Sequence, residues 1–534
     1  MARATFKIQH AFVLLTFATS ACTASLGGDT RDAGPRHDAD ATDANPFVDG
    51  SLDASLPFDA MPIDDASHFM DGTMGADATV EFDSGEPAPD SGIVIAPCTA
   101  DVVTLGALGD GTTDDRAAFL AAFTAAGSGG MVCVPAGTYR IAGGPLPVPN
   151  GVSMRGDGMD LSWIKGRVDF GSDQLFADLK MGDVGDCALH NQDGADSVRF
   201  ERCRFHGGGG YDGPHAIGEG LSGPVITIGD DGDASNIVFY DSVVERNLGT
   251  EVPEMWPAIT NGCNNISITD RWSGPHVAHV TFDHCHVGAS NGVAVGSPRA
   301  GLEAWCDSSS GVPDHCWQDI VIRDSVFERA DMFTLDFGAS TSVGGPVLVE
   351  RTVIRGAGNM EIPPVFNYDI CLECPGHFTI RNNIFYRSRM EAINMAYGSA
   401  ENENGCDGKD LSGSVITGNQ FLLDEDNGIE SWDWDVFSLF GDNFEFSDNV
   451  IRVNQGPVVG GQVVGVWNAH GIDFHGNTIE DLRTGLSTLM VRAGDASGGN
   501  SFTGNTFITH SGSAPMWSDS GSSNTWTDNT LLTR

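Results

Sequence analysis

The chain has 534 residues, 73 acidic against 28 basic, for a formal net charge of −45, yet only 19% of its residues are charged. A protein this acidic is excluded from holding nucleic acid or an anionic membrane through its bulk field. It is long enough for one large core, and its 69 glycines and low share of charged residues suit many short strands with tight corners.

Residues 1–22 carry Arg3 and Lys7, an apolar run from Ala11 to Ala18, and then Thr19-Ser20-Ala21-Cys22. A basic start and a short apolar stretch make an export signal, too short for a permanent membrane span. Small residues before a cysteine resemble the bacterial lipobox. That resemblance implies lipidation of Cys22 and anchoring at the outer membrane or cell surface, with membrane contact only through the lipid. Thr19 stands where the lipobox has leucine.

Residues 23–97 are a different material, with 16 acidic residues against Arg31 and Arg36 and with Ala, Pro, Gly and Ser filling most of the rest. Such a segment cannot bury enough apolar surface to offset chain entropy, and it is expected to be a disordered acidic tether. Residues 98–534 are then the folded domain, with 57 acidic and 24 basic residues, so unaided capture of a polyuronate is disfavoured unless calcium bridges the two.

The folded part opens with Gly109-Asp110-Gly111, Asp114-Asp115, an amphipathic stretch Arg116–Ala126 and Val134-Pro135-Ala136-Gly137-Thr138-Tyr139. Thr113 or Asp114 is placed to cap the helix. Phe119, Leu120 and Phe123 give it an apolar face that would close one end of a solenoid. Asp110, Asp114 and Asp115 are read as structural.

From Phe200 onward an eight-residue phrase recurs eleven times: apolar, any, apolar, two mostly polar residues, a small turn-former, any, apolar. The turn-formers are Cys203, Ser242, Cys285, Ser325, Thr352, Asn383, Asn419, Asn449, Asn477, Asn505 and Asn529. A drifting period with short strands in each repeat signals a solenoid. Asn tolerates a left-handed bend, and its amide both donates and accepts, so the six Asn should stack in one column between in-register parallel strands. A third strand is expected in each repeat, at Gly292–Val295, Phe333–Phe337, Ala392–Tyr397, Val436–Phe440 and Leu486–Val491. The fold class is all-β, a right-handed parallel β-helix solenoid with an N-terminal capping α-helix. A sandwich or propeller is disfavoured because Asn-Gly hairpin turns are missing at the repeat midpoints.

The opening motifs and the repeats together resemble the pectate-lyase-like superfamily across 98–534. The resemblance implies a right-handed parallel β-helix acting on polysaccharide as a lyase, hydrolase or epimerase, or serving as a non-catalytic adhesin. Phe282-Asp283-His284-Cys285 resembles the strand WIDH of pectate lyases. The Asp-Gly-x-x-Asp segment that carries calcium ligands in those enzymes is replaced by Asn291-Gly292-Val293-Ala294-Val295. Arg387-Ser388-Arg389-Met390-Glu391 echoes the segment bearing their catalytic Arg but lacks its Pro. Hydrolysis is therefore favoured over calcium-dependent elimination. No metal site and no cofactor are read from the residues, and Ca2+ stays open only as a bridge to an acidic glycan. No oligomeric state is read.

Long insertions between Ser242 and Asn449 mark where a binding site would be built. Trp305, Trp317 and Trp432 lie there, with His315 beside Trp317, and are candidates for stacking on sugar faces. Asp336 alternates outward from Phe333, Leu335 and Phe337 and is the leading acid–base candidate, with Glu303 or Asp331 as the second carboxylate and Arg389 as base or clamp. His284 and His286 flank a ladder cysteine, and one of them is expected to face the core. Cys98 with Cys133 and Cys306 with Cys316 are plausible disulfides. Cys371-Leu-Glu-Cys374 lacks the second ligand pair of a zinc site.

Overall fold

The computed structural model describes residues 96–183, 187–207, 225–229, 232–246, 265–270, 277–289, 300–306, 317–328, 333–339, 345–355, 368–373, 376–386, 391–395, 406, 408–423, 436–453, 462–482, 489–494, 496–510 and 516–534. The lipidation residue Cys22, the tether and the segment Asn291–Val295 lie outside them.

Three parallel sheets wind around one core, with 15 strands in the first, 15 in the second and 13 in the third. Each turn of the chain contributes one strand to each sheet, so neighbours in a sheet come from successive turns. The architecture is the expected parallel β-helix. Alternation decides what fills it. In the first sheet Phe200, Phe239 and Phe282 occupy one register row and stack with ring centroids 4.9 Å apart. Phe446, Phe474, Phe502 and Trp526 continue the same row further along. Identical side chains repeating at the strand spacing bury apolar area without leaving gaps.

The eleven turn-formers stand between the first and second sheets as expected, and the last six form a continuous column. The side-chain carbonyl of Asn477 accepts from the backbone N–H of Asn449 at 3.0 Å and from its amide at 3.0 Å. The Asn477 amide in turn donates to Phe446 O at 2.9 Å and to Asn505 Oδ1 at 3.0 Å. The same pattern runs from Asn383 to Asn529. Upstream, smaller hydroxyls take over: Ser242 Oγ accepts from Cys203 N–H at 3.1 Å and Ser325 Oγ from Cys285 N–H at 3.0 Å.

The left-handed residue is not the turn-former but the one before it. Arg202, Asp241, His284, Asp324, Arg351, Asn382, Gly418, Asp448, Gly476, Gly504 and Asp528 all have φ between 47° and 67°. This geometry turns the preceding side chain outward and the anchor inward, where its polar groups meet backbone. It also corrects the histidine expectation. His284 takes the outward left-handed position, hydrogen-bonded to Asp283 at 2.6 Å. His286 is half-buried beside inward Val287, and Cys285 alone of the three faces the core.

The helix Arg116–Ala126 buries Ala118, Phe119, Ala122 and Phe123, and Phe119 packs edge-on against Tyr139 at 5.7 Å. Leu120, expected on that face, is 40% exposed, because the buried stripe runs from Ala118 through Ala122 and Phe119 to Phe123 and Leu120 lies past its Phe123 edge, about 100° round the helix from Phe119. The cap position is Asp115, not Thr113 or Asp114. Asp115 instead accepts from the backbone of Leu108 at 2.7 Å and Gly109 at 3.3 Å. Asp114 still accepts the Arg116 N–H at 3.2 Å, and Asp110 gathers Thr112 and Thr113, so all three acids hold loops. Cys98 and Cys133 form a disulfide. Cys316 and the side chain of Cys306 lie outside the described residues.

Two third-sheet strands differ from expectation. The third-sheet strand of the turn anchored by Cys285 is Ala300–Cys306, starting eight residues after the start of the expected segment Gly292–Val295. Tyr368–Glu373 is a strand that the cysteine spacing disguised. It buries Ile370 and Leu372 in the core and Cys371 on its other face, and Cys374 lies outside the described residues.

Replacing Asn477 with Ala strands the backbone N–H of Asn449 and the carbonyl of Phe446 in the core, and is expected to cost about 3 kcal/mol. Asn529→Ala, at the half-exposed last rung where water replaces the lost bonds, is expected to cost under about 1 kcal/mol. Denaturant unfolding of the two variants checks the difference.

Candidate functional site

The outward face of the third sheet is where polar side chains are withheld from water. Strand register lines up His190, Thr227, Ser267, the Glu303 position, Asp336, Cys371, Asn394 and Ser438 in one row. Each described side chain in it is at most 6% exposed. These positions alternate with Leu302, Leu335, Ile370, Ile393 and Phe437, which fill the core. A face turned away from the core ordinarily meets solvent, so a buried polar row there is a built feature.

The row is most acidic at its middle. Asp336 is 1% exposed and Asp369 0%. Asp369 stands on the neighbouring strand, opposite Thr334 and next to the partner of Asp336, because Phe333 pairs with Tyr368 and Asp336 with Cys371. Crossing one strand at ~4.8 Å and stepping two residues at ~3.3 Å each separates the two Asp Cα atoms by about 8 Å. Glu303 pairs directly with Asp336 on the other side, at about one strand spacing.

The sequence candidates distribute as follows. Asp336 keeps its outward parity but is fully buried rather than facing water. Glu303 and Trp305 occupy strand positions beside Asp336 and Gly338, and their side chains lie outside the described residues. Asp331, Arg389, Trp432 and His315 also lie outside them. Trp317 is a correction: it is 0% exposed, belongs to the hydrophobic core and packs 6.1 Å from Phe337. It enters the first strand of its turn at an inward position, so its ring completes the core instead of lining a cleft. Asp369 and Asn394 went unrecognised. The signal that would have found them is the register itself, since each sits level with Thr334 or Asp336 once the third strands are aligned.

The Phe282-Asp283-His284-Cys285 match falls at the corner between the first and second sheets, away from this row. Asp283, His284 and Asp324 bring ligand atoms within 4.8 Å of one another. They do not fit a resident calcium: the Arg323 guanidinium lies on Asp283 at 2.6 Å and that of Arg351 on Asp324 at 2.7 Å. Those carboxylates are already neutralised in an ion-pair ladder, and a dication would meet two fixed guanidinium groups.

Comparison with known proteins agrees with the opening motifs. The family model for rhamnogalacturonase A/epimerase, pectate lyase-like, matches residues 99–291. That segment is similar to this family over about a third of the chain. It ends before the strands that hold Glu303, Asp336 and Asp369. Mannuronan C5-epimerase AlgE1 of Azotobacter vinelandii is 35% identical over 121 residues, 21% of this chain and 8% of that protein. Mannuronan C5-epimerase AlgE4 of the same organism is 43% identical over 93 residues, 16% of each. The chain thus spans a small part of the curated relatives it matches. Among solved structures, PfbA, a surface adhesin of Streptococcus pneumoniae, aligns over 81% of this chain and 93% of its own at 14% identity, with a TM-score of 0.47.

Trp317→Ala is expected to cost about 3–5 kcal/mol as a large core deletion. Under conditions where the variant stays folded, its affinity for a glycan is expected to equal that of the parent, because the ring is buried in the core. Burial pushes the Cys203 and Cys285 thiols up to about 12, so neither should react with iodoacetamide at pH 8 until the protein is unfolded. Mass mapping of labelled cysteines before and after denaturation reads this out.

Proposed function

We propose that this chain is an exported, polysaccharide-processing β-helix protein whose chemistry is done by acid–base carboxyls on the third sheet. The observation that carries the reading is the pair of buried aspartates on adjacent strands of one face, Asp336 within the polar row and Asp369 two residues from the row's Cys371. Carboxyls removed from water hold a proton more readily than exposed ones, which suits one of a pair to protonate a glycosidic oxygen near neutral pH. The partner carboxylate then activates water. Their Cα atoms stand about 8 Å apart, and carboxyls that themselves settle roughly 6.5–9.5 Å apart, as in inverting glycosidases, would leave room for that water. Glu303, paired with Asp336 in the strand register, is proposed as a third acid–base carboxyl. The neutral groups on either side, Ser267, Asn394 and Ser438, would hydrogen-bond the hydroxyls of a sugar chain lying along the row. Hydrolysis of a glycan is the reaction this arrangement supports best. Trp305, Trp432, His315, Asp331 and Arg389 remain proposed contributors from the flanking segments.

The names of the two curated relatives favour epimerisation as a second reading. In that reaction a base removes the proton next to a uronate carboxyl and an acid returns it to the other face. The two outcomes separate in one assay on a polysaccharide panel. Hydrolysis releases reducing ends with inversion at the anomeric carbon. Epimerisation introduces solvent deuterium without cleavage, and elimination instead leaves an absorbing unsaturated uronate. Binding without any turnover would leave an adhesin.

Asp336→Asn and Asp369→Asn are each expected to lower turnover by about a hundredfold or more while glycan binding persists. Full activity in both variants, against a folded control, would remove the chemistry from this row.

Export rests on the basic-then-apolar start and surface attachment on Cys22. Among the described residues no helix is long and apolar enough to cross a membrane. Cys22→Ser is expected to release the protein from the membrane fraction into the soluble one, as read by fractionation of the expressing cells.

A further inference from the structure

The outward face of the second sheet carries a local reversal of the chain's charge. Lysine is scarce, with Lys7, Lys165, Lys180 and Lys409 the only four in the sequence. Two of them stand on consecutive strands of this sheet. The strands Gly137–Arg140, Ser162–Lys165, Lys180–Met181 and Arg204–Gly207 are neighbours in the same sheet. They place Arg140 beside Lys165 and Lys180 beside Arg204, with His206 two residues beyond Arg204. Like charges set directly opposite across a sheet repel one another, so this grouping is costly unless something negative meets it.

Three carboxylates already do so, and their placement shows what the face accepts. Glu245 lies 2.9 Å from Arg204 and 3.2 Å from His206. Burial would raise the Glu245 carboxyl, but the His206 hydrogen bond and the Arg204 charge outweigh it, so it lies below the usual range. Asp183 reaches Lys165 at 3.6 Å. Asp160 reaches Arg204 Nε at 2.9 Å from a side chain that is 65% exposed, which is a carboxylate approaching from the solvent side. Lys180 differs from the other cations. Its ammonium sits 4.4 Å from the centre of the Trp163 ring, and among the described residues no carboxylate is within ion-pair distance of it, although the charges of Glu245 and Asp160 act on it. Burial holds its pKa below the ordinary lysine value. A cation on an aromatic face keeps its charge available to a further anion. Trp163 itself is fixed by its indole N–H donating to Gly182 O at 2.8 Å.

We propose that this face is a second glycan-binding surface, separate from the third-sheet row, which takes the carboxylate of an acidic sugar between Lys180 and Arg204, where Asp160 now reaches in. The carboxylate preference rests on this local geometry, and the sugar rests on the polysaccharide reading above. The chain's overall field opposes an acidic polymer, and this patch supplies a place where such a polymer would be held without a bridging cation.

The test is direct binding to the full chain, read by tryptophan fluorescence and calorimetry, with an oligogalacturonate, a neutral oligosaccharide of equal length and acetate as probes. The oligogalacturonate is expected to bind, to weaken as salt rises, and to outcompete the other two. Lys180→Ala is expected to weaken it about tenfold, and Lys180→Arg to restore most of that. Asp160→Ser, which removes the internal competitor, is expected to tighten binding. Asp336→Asn is expected to leave this binding unchanged while activity falls, which separates failure here from failure of the catalytic reading. Equal binding of the neutral probe or of acetate, or indifference to both Lys180→Ala and Asp160→Ser, would overturn the proposal.

Discussion

Each turn of this solenoid must bend sharply between its first and second strands, and it does so with one residue in the left-handed conformation followed by one whose side chain is swallowed by the core. The constraint is severe because the swallowed residue brings polar backbone with it. An asparagine there answers it completely: its carbonyl takes the N–H of the turn before, and its amide returns a bond to that turn's backbone. Serine and threonine answer it in part. Cysteine, whose thiol is the weakest of these donors, is tolerated where a serine in the next turn supplies the missing acceptor. Register follows from this column, because a slip of one residue would break every bond in it and turn every core side chain outward.

Once the bend fixes register, the exterior becomes three long faces on which side chains at 4.8 Å intervals can be written almost independently of the core. Along the first corner the left-handed residues project outward and carry charge, so Asp178 meets Arg202 at 2.7 Å and Asp324 meets Arg351 at 2.7 Å. Exposed pairs of this kind add little to stability individually. They do bar that corner from serving as a cation site. The second sheet collects the scarce lysines around Trp163. The third collects hydroxyl, amide and carboxyl groups and hides them from water.

The contrast between these faces is chemical. At the corner, opposite charges cancel at short range and leave nothing to react. On the second sheet like charges are gathered and only partly answered, which favours binding. On the third sheet carboxyl, amide and hydroxyl groups are gathered away from water, where electrostatic interactions are strong. A scaffold that repeats the same backbone from turn to turn thus carries three different surfaces by side-chain choice alone.

The repeat phrase made the solenoid, its parallel sheets and the asparagine column legible in the sequence, because alternation and turn chemistry are local properties read a few residues at a time. Asp336 was legible for the same reason, as an outward residue between inward Leu335 and Phe337. Asp369 was not, since its strand is masked by two nearby cysteines and its importance comes only from standing beside Asp336, 33 residues away in the chain. Trp317 shows the opposite failure: lying in a long inter-strand segment suggested a sugar platform, whereas packing against Phe337 makes it core. The position of the left-handed residue, one before the asparagine, also belonged to the folded chain, because only the direction of the strands on either side decides which of two adjacent residues turns outward. What the amino-acid order determined by itself was the winding; which side chains from distant turns meet was decided by register, and register exists only when the turns are stacked.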